Sequence, residues 1–212
     1  MPAAVRTRRT QKERRDETRR AVLDATVACL TELGYAGTST IEVQRRAGVS
    51  RGALLHHFPS KTGLLVEAVR HLAWLRGRDL RRRMSDLPDG GDRIGDAIEL
   101  LWECFSGPLF YVTMELRTAA RSDAKLRAPL AEAEREVRGF ILLQFREIFG
   151  ARAAGKPGFE DALDITIQFM IGAAMTRLLH QDPERVAELV TRWKRLFPVL
   201  LEQTGAERRG RA

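Results

Sequence analysis

The chain has 212 residues, 44% hydrophobic and 30% charged, which is ordinary for a folded globular protein and excludes global disorder. Its net charge is +8, but residues 1–83 hold eighteen Lys and Arg against eight Asp and Glu, while the remainder holds eighteen against twenty. The first part can therefore attract a polyanion, either nucleic acid or an acidic membrane surface, and the rest resembles a neutral soluble body.

Cysteine use and hydropathy exclude secreted disulfide proteins and membrane-spanning proteins. Cys29 and Cys104 lie within apolar helical patterns, which gives no disulfide framework and is typical of a reducing compartment. The start of the chain lacks the apolar core of a signal peptide. The longest apolar stretch, residues 165–179, is interrupted by polar and charged residues and indicates a buried helix. We expect a cytoplasmic protein without a membrane partner.

The N-terminal elements begin with an arginine-rich segment, residues 1–15, which has no apolar stripe and is expected to be a mobile basic arm. From Asp16, apolar residues recur about one helical turn apart as far as Leu33, and Gly34 is a natural helix stop. This pattern predicts a first helix that ends at the glycine.

Two short helices should follow. Ser39 with Glu42 three residues later fits a capping box, so a helix should begin near residue 40 and end at Gly48. Ser50 then caps a second short helix over residues 51–57. A longer helix starts after Ser60 and should run to about Arg83, and residues 87–92 form the clearest linker.

The remaining chain also has helical periodicity and no sustained alternation typical of strands, so the predicted fold class is all-α. We place Pro129 near a helix start or at a kink, and Pro198 at a bend or early end. Residues 205–212 should form a flexible tail. The predicted helices cover residues 94–105, 108–120, 123–149, 159–180 and 183–201, with a loop at 150–158.

Residues 39–58 have the order of a helix-turn-helix, in which a short glycine-containing turn joins two helices at a steep angle. Gly48 can adopt the left-handed backbone, Val49 can fill the space between the helices, and Ser50 can cap the second helix. In DNA-binding proteins, the N-terminal residues of that second helix contact base edges in the major groove. The sequence therefore predicts a DNA-reading surface.

The side chains of this region suit contacts with phosphates and bases. Arg51 can donate a bidentate pair to guanine, and helix starts can bind phosphate through free N–H groups. Adjacent histidines point about 100° apart on a helix, which disfavours a shared metal site, so we expect no metal. The residues predicted to contact DNA are Thr38, Ser39, Thr40, Arg45, Ser50, Arg51, Gly52, Ala53, His56, His57 and Lys61.

The run GVSRGALLHHFPSK at residues 48–61 resembles the signature of tetracycline-repressor (TetR/AcrR) type regulators, and the similarity extends over roughly residues 16–75. Leu55 stands where that family usually has Tyr, whose hydroxyl tends to reach phosphate. We add Leu55 to the DNA-facing set and expect His56 or His57 to make a larger part of the phosphate contacts. Thr62 and Gly63 replace the acidic residue that usually follows the lysine, which weakens capping of the fourth helix.

The resemblance implies a homodimeric, sequence-specific DNA-binding transcription regulator, a repressor released from its operator by a small-molecule effector. It implies an N-terminal three-helix DNA-binding domain at residues 16–75 and a helical ligand-binding and dimerisation domain at residues 76–204. Neither a cofactor nor enzymatic activity is expected.

Apolar periodicity in the second domain suggests its two sites. Large apolar side chains give candidate effector residues or plain core, and Arg117, in an otherwise apolar helix, is placed to meet a ligand carboxylate or to pair with Glu115 or a neighbouring helix. The apolar faces of the last two helices give a candidate dimer interface. The effector candidates are Trp102, Phe105, Phe110, Met114, Arg117, Phe140 and Phe169. The dimer candidates are Met170, Ala174, Leu178, Val186, Val190, Trp193 and Phe197.

Two other classes remain open. A helical enzyme or small-molecule carrier with an incidental basic patch would bind or turn over its ligand without any effect on DNA. Its motifs are weak, because the phosphate-loop-like run at 150–156 is followed by proline and the Ser-x-x-Lys run at 122–125 lacks supporting motifs. A non-specific, nucleoid-type DNA-binding protein would bind random duplexes equally well.

Overall fold

The computed structural model describes residues 10–85, 92–179 and 182–210, and these residues form nine α-helices and no strand, which confirms the all-α prediction. No helix within these ranges is long and apolar enough to cross a bilayer. The helices are α1 (Gln11–Gly37), α2 (Thr40–Ala47), α3 (Arg51–His57), α4 (Lys61–Ser85), α5 (Arg93–Phe105), α6 (Pro108–Ala120), α7 (Ala124–Ala154), α8 (Phe159–Leu179) and α9 (Pro183–Gly210).

The first helix starts earlier than predicted. Thr10 and Glu13 form a complete capping box, so residues 11–15 of the predicted basic arm are helical, while residues 1–9 lie outside the described part of the chain. Gly34 interrupts α1 with a positive φ of 67°, at the residue where the helix was predicted to stop.

The chain folds into two compact units that are not continuous in sequence. One contains the described residues of Met1–Leu72 together with Tyr111–Ala133, and the other those of Ala73–Phe110 together with Glu134–Ala212. The chain passes from the first unit to the second between Leu72 and Ala73 of α4, three residues before the predicted boundary between residues 75 and 76. The return of Tyr111–Ala133 to the first unit is a tertiary feature, seen where the Glu115 carboxylate accepts a hydrogen bond from the Tyr35 backbone N–H.

The core of the second unit is built from α5, α7, α8, α9 and the end of α4. An aromatic cluster lies at its centre: the Phe149 ring stacks on Phe197 at a centroid distance of 4.8 Å and meets Phe159 edge-on at 5.4 Å. All three rings are buried, so they contribute both apolar area and favourable ring geometry.

Two predicted irregular segments differ from the structure. Residues 150–154 of the predicted loop belong to α7, which kinks at Gly150 with a φ of 78°. Helix α9 continues past Pro198 to Gly210, because the neighbouring Phe197 and Leu201 are buried and hold the helix in place. Of the two alternatives predicted for Pro198, the early end was therefore wrong, and residues 205–210 of the predicted tail are helical. The predicted 87–92 linker lies outside the described residues except for Asp92, which caps α5.

Candidate nucleic-acid interface

Helices α2 and α3 are joined by a three-residue turn whose geometry is set by Gly48. This residue has φ 65° and ψ 30°, in the left-handed region, and its N–H reaches the Arg45 carbonyl at 3.4 Å. A Cβ at Gly48 would meet nothing within 4 Å, so the backbone conformation rather than lack of space requires glycine here.

Both helices start with a side-chain cap from the predicted serine, although the Glu42 carboxylate of the predicted capping box pairs with Arg45 and Arg46 instead. The Ser39 hydroxyl accepts from the Glu42 backbone N–H at 3.1 Å, and the Ser50 hydroxyl accepts from the Ala53 N–H at 3.2 Å. Each cap satisfies one of the N–H groups that a helix start leaves free. The helix ends that we predicted to face DNA are therefore well defined.

Buried side chains fix the angle between the two helices. Val43 of α2, Leu54 of α3 and Phe58 after it are all buried, as are Val22 and Leu30 of α1. Because these residues occupy one face of each short helix, the opposite faces of α2 and α3 are left on the surface.

The outer face of α3 carries the predicted reading residues. Arg51, Gly52, Leu55 and His56 are exposed, and Arg51 forms no ion pair with any described residue. Lys61 is exposed at the start of α4, where its ammonium group lies 4.9 Å from the centroid of the Tyr35 ring. The surface therefore combines cationic, small and apolar side chains.

Thr38 does not share this surface. Its side chain is only 1% exposed, and its hydroxyl donates to the Gly34 carbonyl at 2.6 Å, so it closes the end of α1 instead of facing outward. This position corrects our expectation that the Thr38 hydroxyl contacts a DNA phosphate. The sequence pattern missed this because the kink at Gly34 turns residue 38 inward.

The arginines of α2 are held by a carboxylate. Glu42 accepts two hydrogen bonds from Arg45, at 2.9 and 2.6 Å, and one from Arg46 at 2.7 Å. Arg46 also pairs with Glu32 of α1 at 2.6 Å. The hydrogen bonds from Arg45 and Arg46 lower the pKa of Glu42 to about 2. Arg45 is exposed but already paired, whereas Arg46 ties α2 to α1.

The two histidines differ in their surroundings. His57 is partly buried, and burial lowers its pKa, with the nearby charges of His56, Arg15 and Arg19 acting in the same direction. The two ring centroids lie 5.5 Å apart. Throughout the part of the chain that the structure describes, no three His, Cys, Asp or Glu side chains are grouped so that they could hold a metal ion.

Ile41 is a surface residue that the sequence reasoning missed. Its side chain is 75% exposed, the largest value among the large hydrophobic residues that the structure describes as exposed. It lies two positions before the buried Val43, and therefore about 200° around α2 from the core. That offset from the buried position is the sequence signal that could have identified it.

The predicted effector residues are divided between the two units. Met114 and Arg117 belong to the first unit, whereas the five aromatic candidates belong to the second. Within the second unit, the Phe169 ring stacks on Trp193 at 4.3 Å, and the ring of Trp102 is partly buried against the core. Phe105 and Phe110 meet edge-on at 6.3 Å, and the Phe140 ring packs directly on Gly77.

The predicted dimer residues need a correction. Five of the seven are buried inside this one chain, because α8 and α9 pack against each other and against α5 and α7. Those five are Met170, Ala174, Val186, Val190 and Phe197. Trp193 is partly buried, with its indole N–H donating to the Thr166 hydroxyl at 3.1 Å, and Leu178 is exposed. The exposed apolar residues of these helices are Ile165, Met175, Leu178, Leu196 and Val199.

Comparison with known proteins agrees with this geometry. The family described as bacterial regulatory proteins, tetR family, matches residues 22–68, which span α1 to α4. The HTH-type transcriptional regulator CymR of Pseudomonas putida is 32% identical over 84% of this chain and 88% of its own length. An uncharacterised HTH-type transcriptional regulator of Mycobacterium tuberculosis is 28% identical over 83% of this chain and 90% of its own.

Solved structures share the fold at lower sequence identity. FadR from Bacillus subtilis, in complex with stearoyl-CoA, superposes with a TM-score of 0.61 at 17% identity, covering 84% of this chain and 96% of that one. The multidrug binding protein EbrR, complexed with imidazole, gives 0.53 at 24% identity, covering 82% and 93%. On the sequence similarity to CymR and the match of its first four helices, the chain belongs to the TetR family of bacterial transcriptional regulators.

Proposed function

We propose that this regulator binds a specific, near-palindromic operator as a homodimer, represses the adjacent gene and is released by a small-molecule effector. The observation that carries the proposal is the α2–α3 pair: two capped helices joined at Gly48, with Arg51 exposed at the start of α3. A guanidinium at the first position of such a helix, with no ion-pair partner among the described residues, suits bidentate donation to guanine in the major groove.

A selection of bound sequences from random DNA tests specific binding. We expect one enriched motif with two half-sites, and a steep loss of affinity with salt, because each phosphate contact releases counterions. Arg51→Ala should relax preference at one base position by about 1–3 kcal/mol. Arg138→Ala, which removes an exposed arginine of the second unit that pairs with Asp164 at 2.6 Å, is the control. Equal affinity for random duplexes would favour non-specific DNA binding instead.

The homodimer is proposed to form through the exposed apolar face of α8 and α9. Leu178 of α8 and Leu196 and Val199 of α9 are each about half exposed, and such residues are common at the cores of subunit interfaces. Val199→Glu should give a monomer by light scattering at concentrations where the wild type is a dimer. Ala187→Glu, at an exposed position about 120° around α9 from Val199 and about 180° from Leu196, should leave the dimer intact. A monomeric wild-type protein would contradict this part.

The effector site is proposed to lie in the second unit. Two observations support it: partly buried aromatic rings such as Trp102 and Phe105 border its core, and FadR and EbrR, which share the fold, were solved with stearoyl-CoA and imidazole respectively. Candidate metabolites should be screened for release of the selected operator. A compound that binds the protein and leaves the DNA complex unchanged would favour a carrier role.

A further inference from the structure

The DNA-facing surface of α2 and α3 contains two large apolar side chains among charged and polar neighbours. Ile41 is 75% exposed and Leu55 is 42% exposed. Each stands one helical turn from an exposed arginine, because Ile41 precedes Arg45 by four residues and Leu55 follows Arg51 by four. Both apolar side chains therefore share a helix face with a cation.

A partner for this surface has to satisfy both kinds of side chain. Arg51 and the start of α2, which Ser39 caps, favour an anionic partner. The apolar side chains need non-polar groups at isolated points, not a continuous apolar layer. The major groove of DNA offers this combination, because phosphates line it and the thymine C5-methyl is the apolar group that base edges present there.

We infer that Ile41 and Leu55 are specificity-determining residues that contact the C5-methyl groups of thymines in the operator. This inference rests on the proposed function and adds a prediction about base identity to it. Where Arg51 would select guanine through hydrogen bonds, the two apolar side chains would select thymine by removing its methyl group from water.

Deoxyuridine provides a direct test, because it keeps the base pairing and the O4 acceptor of thymine and lacks only the methyl group. With an operator obtained by selection from random DNA, each thymine is replaced singly and the Kd is measured. Loss of one buried methyl contact should weaken binding about fourfold, which corresponds to about 0.8 kcal/mol. We expect this effect at a few thymines and none at the others.

Variants then assign the sensitive thymines. Ile41→Ala should remove the sensitivity at one set of positions and Leu55→Ala at another, while Ile41→Val should retain most of it. Leu33→Ala changes an exposed leucine of α1 and should leave every sensitivity unchanged. All four substitutions are at exposed sites, so thermal unfolding should confirm that the variants remain folded.

The outcomes separate this inference from the proposed function. Specific binding with no deoxyuridine effect at any thymine overturns the inference and leaves the function standing. So does an Ile41→Ala variant that weakens binding to thymine and deoxyuridine operators equally, because the side chain would then act without the methyl group. Failure to select any specific site overturns both.

Discussion

The packing of α9 against the start of α8 gives a sharp prediction about stability. Gly158 is buried, and its carbonyl accepts from the Thr204 hydroxyl at 3.0 Å. A Cβ at this position would lie 2.2 Å from the Thr204 hydroxyl oxygen and 2.3 Å from the backbone nitrogen of Gly205. Ordinary van der Waals contact needs more than an additional ångström, and a helix backbone cannot rotate out of the way as a side chain can.

Gly158→Ala should therefore destabilise the protein by about 2–4 kcal/mol, which combines overpacking of about 1–3 kcal/mol with partial loss of a hydrogen bond worth about 1 kcal/mol. For a chain of this length, that corresponds to a fall in Tm of roughly 4–16 °C. Chemical denaturation followed by circular dichroism measures the free energy directly.

Gly139→Ala is the matched control. Gly139 is an exposed position within α7, and a Cβ there would meet nothing within 4 Å. Alanine is the better helix former, so this variant should gain about 0.5–1 kcal/mol. If the Gly158 variant proves as stable as the Gly139 variant, the close approach of α9 to Gly158 is wrong.

Three further predictions follow from individual side chains. Ser50→Ala removes the cap of α3 and should cost about 1 kcal/mol in denaturation, with Ser50→Asp retaining most of it; equal stability of both variants would count against the cap. Gln144 is 7% exposed, and its buried side-chain oxygen has no hydrogen-bond partner among the described residues. Gln144→Leu should therefore raise stability by about 1 kcal/mol in thermal unfolding. A loss of stability would show that the amide is satisfied. The pKa of Glu42 is lowered from 4.5 to about 2, so the stabilisation from its ionised carboxylate is present above pH 4.5 and lost as pH falls toward 2. Glu42→Gln should therefore make the free energy of unfolding depend less on pH in that window. An unchanged pH dependence would refute the pairing with Arg45 and Arg46.

Capping and turn residues in the sequence were enough to predict the positions of α2 and α3. Ser39, Gly48 and Ser50 each act on backbone groups within three or four residues, so their effects appear in any window of sequence that contains them. The same reasoning placed the break at Gly34. Helical periodicity also predicted residues 108–120, which are the bounds of α6, Pro108–Ala120.

Long-range packing decided the rest. Helix α8 is apolar on several faces, and only the folded chain shows that Met170 packs inward while Leu178 stays exposed. Similarly, no local sequence pattern predicts that Tyr111–Ala133 belongs to the first unit, or that Thr38 is buried beyond the kink at Gly34. Capping and turn chemistry are short-range and directional, so sequence by itself determined them. Hydrophobic burial has no direction of its own, so which apolar face is covered, and by what, was settled by the tertiary structure.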